Sequence, residues 1–244
     1  MNKFAVIGAG TIGGILARKI AGLGHTVSIA NSRAPSSLRE FEALGVAPAW
    51  AAQAPIGVDA AILSIPQSAV ARLPEPVLIA LRGVPIIIDT GNYYPVRDGR
   101  IAAIEEGLTD SEWVATQIGR PVFKAFNNIG AVSLLTKDLA AGMEGRVALS
   151  VAGPAGADKQ RVMVLVDQLG FDPVDGGDLR SSWRQQPGTR AYCADLTAGN
   201  LRDQLAKATE ANFAEYHANR DRQDPLGGSA KQRQLIANGQ FREA

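Results

Sequence analysis

Residues 3–13 read Lys3-Phe4-Ala5-Val6-Ile7-Gly8-Ala9-Gly10-Thr11-Ile12-Gly13, and this stretch decides the fold. A short apolar run, Phe4 to Ile7, leads directly into glycines spaced G-x-G-x-x-G. Beyond them Ile12, Ile15, Leu16, Ile20 and Leu23 recur at spacings of three and four, the period of one helical face. Gly22-Leu23-Gly24 ends that pattern, and Thr26 to Ala30 is a second apolar strand. Strand, glycine loop, helix and strand together make a βαβ opening of the length that holds a dinucleotide. Gly8 turns the chain out of the strand, Gly10 lets the backbone approach a pyrophosphate, and Gly13 lets the helix pack close on the strands. Thr11 and Ile12 open the helix, whose unpaired N–H groups and dipole attract phosphate. A purely structural glycine turn is the plain alternative in a chain with 26 glycines. The position between a strand and a helix argues against it.

The end of the second strand selects the dinucleotide. A unit that takes NAD usually carries Asp or Glu there, bonded to the ribose 2′-hydroxyl. Asn31-Ser32-Arg33 stands in that place. A hydroxyl and a guanidinium bind a 2′-phosphate that a carboxylate would repel. The expectation is therefore NADP(H), with Arg33 as a solvated strand-edge residue the competing view.

Outward from this unit, the chain has 244 residues, 46% hydrophobic and 20% charged, which suits one large α/β domain or a domain with a small appendage. The net charge of +1 gives no reason to expect nucleic acid or an anionic membrane as partner. A single cysteine, Cys193, forbids an internal disulfide and fits a reducing, cytoplasmic setting. No Cys/His cluster offers a metal site, no signal-peptide pattern opens the sequence, and no apolar run reaches about 18 residues.

Later segments repeat the alternation. Pro35-Ser36-Ser37 opens a helix carrying Leu38, Phe41 and Leu44, stopped by Gly45; Val46 to Trp50 is a weak third strand. Asp59 to Pro66 is a fourth strand, apolar on both faces, and its end places Ser64, Ile65 and Pro66 where parallel sheets bind ligands. A helix from Glu75 to Leu81 leads to a fifth strand, Val84 to Asp89, and the polar turn Thr90-Gly91-Asn92. Thr109 and Glu112 form a capping box for a helix through Ile118. Pro121 to Phe126 is the sixth strand, running into Asn127-Asn128. Small or amide residues at three strand ends suit an uncharged nicotinamide. Arg146 to Ala152, Ala155 to Leu169 and Phe171 to Asp175 add strand, helix and strand. One long helix is expected from Asp195 to about Ala218, then a polar tail. The fold class is α/β: a Rossmann-like, doubly wound, mostly parallel sheet over residues 1–145, with a smaller α/β extension over 146–244.

By Asn128 the sequence resembles the coenzyme F420-dependent NADP oxidoreductase family, and is similar to the cytosolic reductase domain of the six-transmembrane ferric reductases. Gly8 to Gly13, Asn31-Ser32-Arg33, Ser64-Ile65-Pro66 and Val122 to Asn128 carry the likeness, the last most specifically. Asp175-Gly176-Gly177 also fits. The resemblance implies NADP(H) along the glycine loop and the Ser-Arg pair. It places Ser64, Ile65, Pro66, Ala125 and Asn127 on its nicotinamide side. It further implies F420 or a flavin (FMN or FAD) as a small-molecule redox acceptor, and a homodimer. Hydride transfer between stacked rings depends on distance and orientation more than on an acid or base, so no catalytic residue is assigned.

Two other functions compete. A reductase of a small hydroxyacid, imine or carbonyl would use Lys124 as proton donor, against a strand lysine whose ammonium reaches solvent. A non-catalytic NADP(H)-sensing module would use Leu201, Leu205, Phe213 and Tyr216 as a partner face, residues more often core. Trp183, Arg184 and Tyr192 are candidates for a second ligand site, with core filling by Trp183 the alternative, and the segment Ser182 to Tyr192, with Gln186, departs from the family pattern. His25 and His217 read as solvated residues, and Glu105-Glu106 as an exposed helix face.

Overall fold

The computed structural model describes residues 1–223; the polar stretch from Asp224 onward lies outside them. Strand β1 (Lys3–Ile7) is central, flanked by β2 (Thr26–Ala30) and β4 (Ala60–Leu63). With β3 (Val46–Pro48), β5 (Ile86–Asp89) and β6 (Phe123–Lys124) they form one sheet in the order β3-β2-β1-β4-β5-β6, with every pair parallel. Strand β7 (Ala148–Val151) pairs in parallel with β8 (Asp172–Asp175), and an antiparallel bridge between Lys124 and Ala152 ties this pair to β6.

Alternation along each strand feeds two cores. Phe4, Val6, Val27, Ile29, Ile62 and Ile88 face one side, and Ala5, Ile7, Ala61, Leu63 and Ile87 the other. The first face is covered by helix α1 (Thr11–Gly22), through Ile15, Leu16 and Ile20. Two short helices follow β4, α2 (Gln67–Val70) and α3 (Glu75–Arg82). The β5–β6 crossover holds α4 (Pro95–Asp98), α5 (Ala102–Glu105) and α6 (Asp110–Ile118). Val77, Leu81, Trp113, Val114 and Ile118 cover the second face. Helix α7 (Ala131–Thr136) and helix α8 (Ala157–Gln168) return to the first, where Leu134, Val162, Leu165 and Val166 join Phe123, Val151 and Phe171 in one cluster. The second strand pair therefore shares its core with the first unit.

Capping explains the clearest boundary. The Thr109 hydroxyl accepts from Glu112 N–H (3.2 Å) while Glu112 Oε2 accepts from Thr109 N–H (2.9 Å), so α6 begins where the capping box placed it. Besides shorter strand ends, three elements differ in kind from the sequence expectation. Residues 35–44 form 3₁₀ turns kinked at Leu38 (φ −122°), because the Ser37 hydroxyl and N–H both bond to Ala34 O and tighten the first turn; Leu44 is exposed. Strand β6 covers only two residues because the chain bends at Phe126, which takes φ 59°. The long C-terminal helix is two: α9 (Ala198–Lys207) stops at an extended Ala208 (ψ 128°), and α10 (Phe213–Asp221) follows a 3₁₀ turn. The break lets each piece meet a different surface. Leu201 and Leu205 pack on Ala148, Val174 and Ala191, whereas Phe213 and Tyr216 pack on Trp183.

Candidate cofactor site

The carboxyl edge of the sheet is continuous, because each residue just past a strand extends the ladder. Gly8 N–H donates to Ala30 O (2.8 Å), Ser64 N–H to Ile7 O (2.8 Å), Thr90 N–H to Leu63 O (3.0 Å) and Ala125 N–H to Asp89 O (3.2 Å). Gly8 has φ 109°, and a Cβ there would lie 2.7 Å from Ile65 Cγ2 and closer still to the Ser64 carbonyl oxygen. A Cβ on Gly13 would overlap the Gly8 carbonyl oxygen and approach Ser64 Cβ to 3.1 Å. Gly8, Gly13, Ser64 and Ile65 are thus brought together in one tight corner. Gly10 is the opposite case: nothing lies within 4 Å of a Cβ built on it. It caps α1 without a side-chain hydrogen bond, and no acidic residue occupies the first turn, where Thr11 and Ile12 are half-buried. The helix N-terminus is open to an anion.

At the end of β2, the Asn31 side chain shapes the turn. Its Oδ1 accepts from Arg33 N–H (2.8 Å) and its Nδ2 donates to Ser37 Oγ (3.0 Å). This leaves Ser32 and Arg33 exposed, and the guanidinium makes no ion pair among the described residues. Ser64 and Ile65 are half-buried and Pro66 exposed, along the same edge.

Beyond β5 and β6 the edge is filled by protein. Lys124 is fully buried; its Nζ donates to Gly91 O (2.9 Å) and Ser111 Oγ (3.1 Å) and lies 3.7 Å from Asp110 Oδ2. Asp89 accepts from Ser111 Oγ (2.6 Å) and Gly91 N–H (2.9 Å), and Asp110 accepts from Tyr93 N–H (3.0 Å). Burial pushes the Asp89 carboxyl up, opposed by the Lys124 ammonium and the two hydrogen bonds. Lys124 is therefore not the solvent-facing strand lysine. Its ammonium points inside, to Gly91 O, Ser111 Oγ and the nearby Asp110, and pins β5, β6 and α6 together.

Next to this knot lies a ring of amides. Asn92 Nδ2 donates to Asn127 O (3.0 Å), and Asn127 Nδ2 donates to Asn92 Oδ1 (3.1 Å) and Gln185 O (2.8 Å). Gln185 Nε2 returns to Asn127 Oδ1 (2.7 Å) and Ser150 O (3.2 Å). Asn92, Ala125 and Asn127 thus stand together, as the sequence placed them, but the amide side chains are occupied by each other. The Gln185 contacts were not legible: nothing local links residues 127 and 185.

The second candidate cluster divides. Trp183 meets Phe213 edge-on (centroids 4.8 Å, 87°) and has Arg184 above it (5.5 Å). Trp183 and Gln186 line a cavity of about 480 Å³ with Ile104, Phe213, His217 and Arg220. Tyr192 is elsewhere, its hydroxyl 2.5 Å from that of Tyr94. Burial pushes the Tyr94 phenol up to about 12, and Tyr192 is also raised, chiefly by burial. Glu105 is not a free surface carboxylate, since it pairs with Arg100 (2.9 Å) and Arg220 (3.2 Å). His25 lies against Phe4 (5.2 Å), half-buried, and His217 is exposed.

With this geometry in view, residues 3–93 match the model of the family described as NADP oxidoreductase, coenzyme F420-dependent. Over this unit the chain is similar to the coenzyme F420-dependent NADP oxidoreductase family. A hypothetical protein, SMa0349 of Sinorhizobium meliloti, is 29% identical, with a TM-score of 0.67 over 81% of this chain and 96% of that one. A structure from Arthrobacter sp. FB24 designated an F420-dependent NADP-reductase is 27% identical, with a TM-score of 0.61 over 75% of this chain and 87% of that one. A 3-hydroxyisobutyrate dehydrogenase of Mycobacterium tuberculosis shares the fold at 18% identity (TM-score 0.54, 75% of this chain and 58% of that one). Sixty residues are 48% identical to YjhV of Escherichia coli K12, spanning 25% of this chain and 44% of that relative. The family match covers the glycine loop, Asn31-Ser32-Arg33 and Ser64 to Pro66; the amide ring beyond Asn92 is outside it. Among the described residues no helix is long and apolar enough to cross a membrane.

Proposed function

We propose that this protein is an NADP(H)-dependent oxidoreductase that passes a hydride between the nicotinamide and a flavin- or deazaflavin-like ring: F420, FMN or FAD. The observation that carries the reading is the contrast in commitment along one sheet edge. Gly10, Ser32 and Arg33 are open, where a pyrophosphate and a 2′-phosphate would need donors. Asp89, Asp110 and Lys124 are buried and bonded to protein. The open donors fit NADP(H): the α1 N-terminus holds the pyrophosphate, Arg33 the 2′-phosphate, and Ser64 to Pro66 line the way to the β5 and β6 ends. When bound, the cofactor supplies a hydride. The residues around it bind and orient, and exclude charge. That suits ring-to-ring transfer, which needs alignment and not a protonating side chain, and it disfavours reduction of a small carbonyl or imine by Lys124.

The test is an acceptor screen with NADPH, following loss of the nicotinamide absorbance band. Oxidation with F420, FMN or FAD, and none with small ketones, imines or hydroxyacid precursors, is expected. Turnover with the small carbonyls alone would overturn the acceptor class, and absence of NADPH binding would overturn the reading altogether.

A further inference from the structure

The turn at Phe126-Asn127-Asn128 is strained, buried and under-bonded. Phe126 has φ 59°, which a bulky aromatic rarely takes, and is 1% exposed. Among the described residues, the backbone N–H groups of Phe126, Asn127 and Asn128 donate no hydrogen bond to protein, although these residues are 1%, 2% and 4% exposed. A buried donor left unpaired is costly, so such groups stand ready for a carbonyl or carboxamide oxygen. The turn is held not by its own strand, which ends at Lys124, but by the amide ring and by Cys193 N–H, which donates to Asn128 O (3.0 Å). Gln185 arrives from the segment after Gly177, reaches Asn127 from both its side chain and its carbonyl, and is anchored on Ser150 of β7. Asn92, from the turn after β5, closes the other side.

We infer that Gln185 is a positioning residue, which holds Asn127 so that the unpaired N–H groups of the 126–128 turn meet the carboxamide of the nicotinamide. The inference rests on the NADP(H) reading above. It adds a role for the C-terminal segment in orienting the reacting ring, with no part in nucleotide affinity, which belongs to Ser32 and Arg33 at the far end of the edge. Gln185 acts through Asn127 alone, so the two residues behave as one unit.

The experiment compares Gln185→Leu, Asn127→Ala and the double variant, with Arg180→Ala, an exposed residue of the same segment, as a control. Thermal denaturation first establishes that each is folded. NADPH affinity, the emission of bound NADPH, and turnover with FMN or F420 at saturating NADPH are then measured. For Gln185→Leu the expected result is an affinity within about twofold of wild type, a shifted emission of the bound nicotinamide and a turnover lowered tenfold or more. The double variant should be no slower than Asn127→Ala. Unchanged emission and turnover in folded Gln185→Leu would overturn the inference, as would a double variant slower by the product of the single effects. Should Gln185→Leu not fold, Gln185→Glu, of the same length, replaces it under the same criteria. Failure of the NADP(H) reading looks different, because wild type would then bind no NADPH.

Discussion

At the β1–β2 end of the sheet, Gly10 and the side chains of Ser32 and Arg33 are exposed, whereas at the β5–β6 end Asp89 and Lys124 are buried and joined through Ser111, and Asn127 and Gln185 are buried and bonded to each other. The two ends use polar groups for opposite purposes. Open donors keep their affinity for a ligand and contribute little to the fold; buried, paired side chains fix the fold, and at this end it is the 126–128 backbone N–H groups that are left without a protein partner. A site that must grip a phosphate and merely align a ring needs one end of each kind.

That contrast breaks first, and hardest, at Lys124. Lys124→Met leaves Asp89 and Asp110 without their buried cation, and losing one partner of such a set costs about 3–5 kcal/mol. The loss should appear in denaturant unfolding, with NADPH affinity of the folded protein nearly unchanged. Asp89 is already pushed up by burial, and its pKa rises further once the ammonium is gone. A carboxyl with a raised folded pKa contributes stability that is present below its unfolded value and lost as pH rises. The variant's deficit should therefore be larger at pH 7 than at pH 5. A stable Lys124→Met protein that binds NADPH but does not turn over would restore the proton-donor role.

Next come the glycines, a sharper test within the open end itself. Gly13→Ala forces a methyl onto the Gly8 carbonyl and should cost about 1–3 kcal/mol and most of the NADPH affinity. Gly10→Ala meets no protein atom, so stability should hold while affinity falls. Equal stability losses at the two positions would mean that the loop's openness is not what separates them.

How far each end was legible follows from the range of its contacts. The glycine loop, α1 and Asn31-Ser32-Arg33 lie in one contiguous stretch whose residue types and spacing are themselves the signal, although Gly8 also bonds to Ala30 and abuts Ser64. Even the Asn31–Arg33 turn is a two-residue motif. The β5–β6 end is assembled from pairs 13 to 58 residues apart, such as Lys124 with Ser111 and Asn127 with Gln185. Each of these residues reads, in isolation, as an ordinary strand-end polar group. The same limit misjudged the last helix. Its apolar positions suit one long amphipathic element, and only the separate surfaces met by Leu201 and Phe213 show why it breaks at Ala208.

Arg33→Ala is smaller in energy but more selective. A lost charge-assisted bond of about 1.5–3 kcal/mol should lower NADPH affinity by roughly ten- to a hundredfold, leave NADH affinity alone and leave the melting temperature unchanged. Equal effects on both dinucleotides would remove the 2′-phosphate from the argument.

The smallest expected effect tests whether the phenols at the edge belong to the buried end or to the chemistry. Tyr94 and Tyr192 share a 2.5 Å hydrogen bond, and burial pushes Tyr94 up to about 12 from an ordinary 10. Because the folded state favours the neutral phenol, its contribution is complete below pH 10 and is lost as pH rises through 12. Near neutral pH, Tyr94→Phe should cost only the net value of one hydrogen bond, about 0.5–1.5 kcal/mol. Its stability should then decline less steeply than wild type between pH 10 and 12, as followed by circular dichroism alongside the tyrosinate absorbance. Tyr192→Phe should leave turnover with a ring acceptor within about twofold, since that transfer draws no proton from the pair. A loss of a hundredfold or more would make Tyr192 a proton donor, move it from the buried end to the reacting one, and reopen the small carbonyl acceptors that the burial of Lys124 disfavours.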